Sequence, residues 1–224
     1  MTQSWHDLLF VHWPIDRDRL RALVPPGVDI DVHDGQAWLG IVPFHMTNVA
    51  PRGLPNLPWV SAFPELNVRT YVVRAGKPGV YFFSLDAANP LAVSVARALF
   101  KLPYYPARMH VETADGYVRY DSRRTSNERP AALGCRYRAT GEVSVPAPGT
   151  LEYFLTERYC LYVVDRSRVR RLEIHHRPWR LQSAELEIAT NTMAEAAGVS
   201  LPTMAPLLHF SARQDMVAFP METP

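Results

Sequence analysis

Lysine is nearly absent from this sequence. Only Lys77 and Lys101 occur, so 22 of the 24 basic residues are arginine. Any amine-based covalent mechanism has just these two side chains to draw on. Cysteine is scarce as well: Cys135 and Cys160 have no metal-ligand spacing and form no short disulfide framework, so a reduced pair is expected. No apolar run approaches the ~20 residues that a membrane-spanning helix needs. The opening MTQSWHDLLF has no basic region before its apolar stretch, which argues against a secretion signal and for a cytoplasmic protein. The net charge of +2 is too small to imply a nucleic-acid or membrane partner. Neither a Gly-rich phosphate loop nor a Gly-x-Ser-x-Gly elbow occurs, so no cofactor is expected.

What is present suits one domain spanning residues 1–224, with 47% apolar residues to build its core. Strand-like runs at 8–13, 28–32, 37–44, 65–73, 80–85, 109–113, 117–121, 136–145, 161–164, 169–176, 181–189 and 209–218 are separated by turn residues. The pairs Asp34-Gly35 and Asp115-Gly116 and the run Ala-Gly-Lys-Pro-Gly at 75–79 predict hairpins. Asp16 caps an expected helix at 17–24, stopped by Pro25-Pro26-Gly27. Residues 90–102 read as a helix with Leu91, Val95, Leu99 and Leu102 along its apolar stripe. Shorter helices are expected at 151–159 and 192–198, and residues 50–60 form a proline-rich loop of the length that often carries function. This pattern predicts an α+β fold: a mainly antiparallel, curved or closed (barrel- or cone-like) β-sheet with three or four short helices.

Two stretches carry chemistry. In SAFPELNVRTYVV (61–73) an extended chain puts Glu65, Asn67, Arg69 and Tyr71 on one face and Leu66, Val68 and Val72 on the other. That polar face meets either water, the commoner arrangement in antiparallel sheets, or the inside of a ligand-holding barrel. In KLPYYPARMH (101–110) Arg108 follows a proline-framed pair of tyrosines, and it either joins a structural ion pair or is held for function.

A likeness that runs nearly end to end includes the motifs IDRDRLRALVPPGVDID, WLGIVPFHM, FPELNVRTYV, SLDAANPLAVSVARALF and YYPARM. Together they make the chain resemble the YqjF-like family of uncharacterised bacterial proteins, whose fold is similar to that of acetoacetate decarboxylase. The resemblance implies that Glu65 matches that enzyme's cavity glutamate. It also implies that Ala107 and Arg108 stand where the decarboxylase carries two adjacent lysines, the first of which forms the imine. Alanine cannot form an imine and arginine is a poor nucleophile, so Schiff-base decarboxylation is not expected. A second acidic position falls at Gly40, and an amino-terminal arginine falls near His6.

Remaining candidates add little. His175 and His176 point to opposite faces of a strand and cannot easily share an ion, and His110 with Glu112 makes only two ligands, so no metal is expected. Arg166, Arg168 and Arg170 form a basic strand face expected to be solvated or paired with Glu185 and Glu187. The sequence thus predicts a pocket for a small anionic or carbonyl-bearing molecule. Glu65 and Arg108 are the candidate catalytic pair, and Asn67, Arg69, Tyr71, Tyr105 and His110 contact the ligand. Hydration, dehydration or proton transfer beside a carbonyl would suit these groups; a non-catalytic sensing module, or decarboxylation through Lys101, are the alternatives. A homo-oligomer is left open.

Overall fold

The computed structural model describes residues 1–50, 61–90, 93–94, 97, 100–127, 129–166 and 168–224. Its strands are β1 (Thr2–Ile15), β2 (Asp29–Ile30), β3 (Ala37–Ala50), β4 (Phe63–Arg74), β5 (Lys77–Ala87), β6 (Tyr104–Ala114), β7 (Tyr117–Arg124), β8 (Ala132–Ser144), β9 (Cys160–Asp165), β10 (Arg168–His176), β11 (Leu181–Asn191) and β12 (Leu207–Glu222). Short helices join them, among them α1 (Arg17–Leu23), α2 (Leu151–Thr156) and α3 (Met193–Ala196). Asp16 caps α1 as expected, accepting from the Asp18 and Arg19 amides at 3.0 Å. Pro90, Val93, Ser94, Arg97 and Phe100 are helical, whereas Leu91, Val95 and Leu99 of the expected stripe lie outside the described residues, as do residues 51–60.

All twelve strands belong to one mainly antiparallel sheet; the pairings of β5 with β6 and with β9 are parallel. Following the pairings β12–β1–β3–β4–β5–β9–β10 and back to β12 closes a ring of seven strands. Strands β6, β7, β8 and β11 arch from β5 round to β12 on the other side of the shared wall β1–β3–β4. That wall has two buried faces. Leu9, Val11, Ile41, Leu66 and Val68 pack under the arch with Val118, Tyr120, Leu133 and Tyr137, while Leu8, Val42, Phe44 and Phe63 look into the ring.

The Asp-Gly turns form because both residues adopt a positive φ, +50° and +78° at Asp34-Gly35 and +52° and +76° at Asp115-Gly116. Two strand assignments need correction. The chain before Asp34 pairs with β4 rather than with β3, through Asp29↔Val73 and Ile30↔Val72. The turn between β4 and β5 is only Ala75-Gly76, so Lys77 starts a strand. Lys77 is therefore half-buried in an ion pair with Glu173 instead of standing in an exposed turn. Strand β1 is longer than its apolar run because of a bulge. Five steps from His6 to Val11 oppose four from His45 to Ile41, with Asp7 at φ +49°. The extra residue switches the inward set from Gln3 and Trp5 to Leu8 and Phe10.

Candidate functional site

The seven-stranded ring encloses a cavity of about 640 Å³, within the usual range for small-molecule pockets. Its walls are mostly apolar, with Gln3, Thr156, Arg158 and His176 among the exceptions. The main polar feature is one strand face: Glu65, Asn67 and Arg69 of β4 all line the cavity. Closure of the ring decides between the two readings of that face, since its inner surface is the cavity wall and not a solvated exterior. Leu66 and Val68, on the other face, lie in the core beneath the arch.

Glu65 is only 4% exposed. The Tyr104 hydroxyl donates to its Oε2 at 2.8 Å, and the Asn67 side chain adds a second hydrogen bond. From the far side of the wall the Tyr120 hydroxyl donates to the Glu65 carbonyl at 2.7 Å, fixing the backbone. Burial pushes the Glu65 carboxyl up from the usual value to about 7; the bonds from Tyr104 and Asn67 oppose this, and the nearby Asp86 charge adds to it. A carboxyl titrating near neutrality can both give and take a proton.

That shift has a thermodynamic consequence. With a folded pKa near 7 against 4.5 unfolded, the folded chain holds the extra proton between those values. Stability is therefore fully present below about pH 4.5, falls as pH rises toward 7, and stays lower above it, by about 3 kcal/mol for a shift of this size. Glu65→Gln is expected to remove most of that dependence: in denaturant titrations the variant gains on the native protein at pH 8 and not at pH 4.5. An equal difference at both pH values would show Glu65 to be an ordinary acid.

Arg69 lies at the other end of the polar row. Its guanidinium sits 5.2 Å over Phe10 and 5.7 Å over Tyr71. Nη2 reaches only neutral oxygens, Leu155 O at 3.3 Å and the Tyr71 hydroxyl at 3.5 Å, and the buried Nε has no partner among the described residues. The Asn67 carbonyl oxygen is likewise unpartnered. The cavity's second guanidinium, Arg158, is neutralised by Asp31 at 2.6 Å and stacks 4.1 Å over Phe154. Half-buried positive charge without a carboxylate is costly, and Arg69 is the member of the site that an anion would satisfy.

Tyr71 supports this wall from behind. It donates to Leu155 O at 2.7 Å, so the 2.6 Å contact with His12 must use the imidazole Nε2–H as donor. Burial holds the His12 pKa well below its ordinary value, with the charges of Arg69 and His209 acting the same way, so the ring is neutral. Gly40 makes room for it: a Cβ there would meet the His12 ring at 3.1 Å. The second acidic position implied by the resemblance is thus filled by an imidazole. His6, the other implied counterpart, bonds Thr47 at 2.8 Å and is not a lining residue.

Three other expected site residues, Arg108, His110 and Tyr105, lie elsewhere. Beside the ring, β6 pairs with β5 only at Tyr104, Tyr105 and Pro106, then leaves it to run with β7. Tyr104 shares the face of Asn67 and Glu65 and lines the cavity. Arg108 keeps that face parity but lies roughly 13 Å further along, beyond the ring. It is exposed, as is His110, in a shallow outer depression with Asp121 and Arg123. Ala107, just before Arg108, is buried. The expectation that Arg108 shares a chamber with Glu65 is corrected: the cations there are Arg69 and the Asp31-paired Arg158. Tyr105 points to the opposite face, where its ring covers the Arg124 guanidinium at 3.9 Å.

Arg124 holds Asp86 in a bidentate pair at 2.9 and 2.7 Å beneath that ring. Sequence reasoning missed this pair and Tyr104. The signal for Arg124 was its place in the alternation Val118, Tyr120, Ser122, Arg124, an inward-facing set. Other charges also find partners not foreseen: Glu185 and Glu187 pair with Arg138 and Arg136 on the outer surface. Lys101 is exposed, and neither lysine lines the cavity. Among the described residues no group of three or more His, Cys, Asp or Glu could hold a metal, and no helix is long and apolar enough to cross a membrane.

The sequence profile of DUF2071, a family of uncharacterised conserved proteins, matches residues 2–215. The chain is 47% identical over 221 residues to the uncharacterised protein YqjF of Bacillus subtilis, covering 99% of this chain and 91% of that protein. Among solved structures, the enduracididine biosynthesis enzyme MppR complexed with pyruvate is similar at TM-score 0.66 and 13% identity, over 99% of this chain and 89% of the other. The acetoacetate decarboxylase of Legionella pneumophila is similar at TM-score 0.65 and 12% identity, over 100% and 86%. Likeness at such low identity speaks for the fold, and it bears out the acetoacetate decarboxylase-like architecture.

Proposed function

The chain belongs to the DUF2071 family, and from that premise we propose that it binds a small anionic or carbonyl-bearing molecule inside the seven-stranded ring. Arg69 receives the anion or carbonyl oxygen through its guanidinium fork. Glu65, roughly 13 Å along β4 from Arg69 and with Asn67 and Tyr104 beside it, exchanges a proton with the part of the ligand that reaches its end of the row. The observation that carries this reading is the row of three polar side chains on one strand face, with an unpartnered Arg69 Nε and Asn67 side-chain oxygen, in a chamber whose wall is mostly apolar. Hydration, dehydration or isomerisation beside a carbonyl needs nothing more than these groups. A fold relative whose complex holds pyruvate makes an acid of this kind a reasonable first probe.

The second reading is capture without turnover, favoured by the same empty contacts. A thermal-shift screen of small carboxylates and keto acids separates these readings from a purely structural cavity, because a ligand that binds only the folded chain raises its melting temperature. With a hit in hand, Glu65→Gln decides between the two. Retained binding with turnover lost supports proton transfer, whereas binding with no turnover in the native protein supports capture. No shift with any carboxylate would count against the proposal as a whole.

A further inference from the structure

Resting on the reading that Arg69 receives an anion, we infer that the occupant is an amphipathic monocarboxylate, a fatty or aryl-alkyl acid. Its head lies at Arg69 and its apolar body crosses the ring to β10 and β12. The ring order places those two strands opposite β4, three pairings away in either direction. They present Leu172, Ile174, Met216 and Ala218 to the cavity. A three-carbon keto acid would leave most of the 640 Å³ to water, against walls that are mostly apolar and offer it few hydrogen-bond partners beyond Gln3, Thr156 and His176 away from β4. An apolar body removes that water and gains the burial.

The charges set the head group. Arg69 is the cavity cation with no carboxylate partner among the described residues, since Arg158 already holds Asp31. One free guanidinium suits one negative charge. A second carboxylate would face either Glu65 or the hydrocarbon wall, so diacids are excluded. Adaptable side chains, Met46 and Met216 among them, let the wall accept bodies of differing shape.

Calorimetric titration of the native protein with straight-chain acids from butanoate to dodecanoate, below their micelle concentrations, tests this directly, with primary alcohols of equal length alongside. Affinity is expected to rise about fourfold per added methylene until the cavity is full, the value for burying one such group. Acids should bind more tightly than alcohols in the native protein, and alike in Arg69→Met. Ala218→Trp, which narrows the opposite wall, should flatten the gain for the longest chains and leave butanoate unchanged. Short acids that bind through Arg69 with no gain from added length would overturn the amphipathic class and leave the anion reading standing. A chain-length gain shared equally by acids and alcohols in the native protein would overturn the carboxylate head and the Arg69 reading with it. Absence of binding by the whole acid series overturns both.

Discussion

Asp86→Ala is expected to destabilise the protein by about 3–5 kcal/mol, enough to lower its melting temperature by on the order of 10 °C. The reason is the charge left behind. The side chains of Arg124 and Asp86 are 1% and 0% exposed, and the guanidinium is further enclosed by the Tyr105 ring at 3.9 Å. Burial raises the Asp86 pKa, and the hydrogen bonds and charge of Arg124 offset that only in part, so the pair is no large net stabiliser. Removing the carboxylate strands a cation that cannot lose its proton. Replacing both residues, as Asp86→Leu with Arg124→Met, is therefore expected to cost far less than Asp86→Ala alone. Equal losses in single and double variants would show that packing, and not stranded charge, dominates there.

Arg69→Met is expected to do the opposite. Here the guanidinium already lacks a carboxylate, so stability should hold within about 1 kcal/mol or rise. Carboxylate binding should fall by about 2–5 kcal/mol, roughly thirtyfold to several thousandfold, because the ligand's charge would then be buried alone. The two substitutions form a contrast between buried cations of one fold. One is neutralised by its internal partner, and the other is left for a partner from outside. If Arg69→Met unfolds the chain, the side chain is a structural prop between Phe10, Tyr71 and Leu155, and the binding account loses its cation.

The legible parts of this fold were local. Asp-Gly turns, the Asp16 cap and the period-two pattern of Glu65, Asn67 and Arg69 can each be read within a few residues. What that pattern faces could not be read so. It depends on β5 pairing with β9 and β10 with β12, contacts between segments far apart in the chain that turn one side of β4 into an interior. The misplacement of Arg108 has a related cause. Alternation gives the face of a residue but not its position along the strand, and β6 leaves the ring two residues before Arg108. Tyr104, passed over in favour of Tyr105, is the tyrosine that remains inside. The β1 bulge at Asp7 had no sequence signal, since a positive φ at aspartate is permitted but not announced.

The account rests on β4 presenting a poised acid and an unpaired guanidinium to one ligand within the ring. A crystal structure of the protein grown with octanoate measures this most directly. The expected result is a carboxylate within hydrogen-bonding distance of the Arg69 guanidinium, its chain directed toward Met216 and Ala218. A saturated crystal with the ring vacant, or with the acid seated instead at Arg108 and Arg123 on the outer surface, would contradict it.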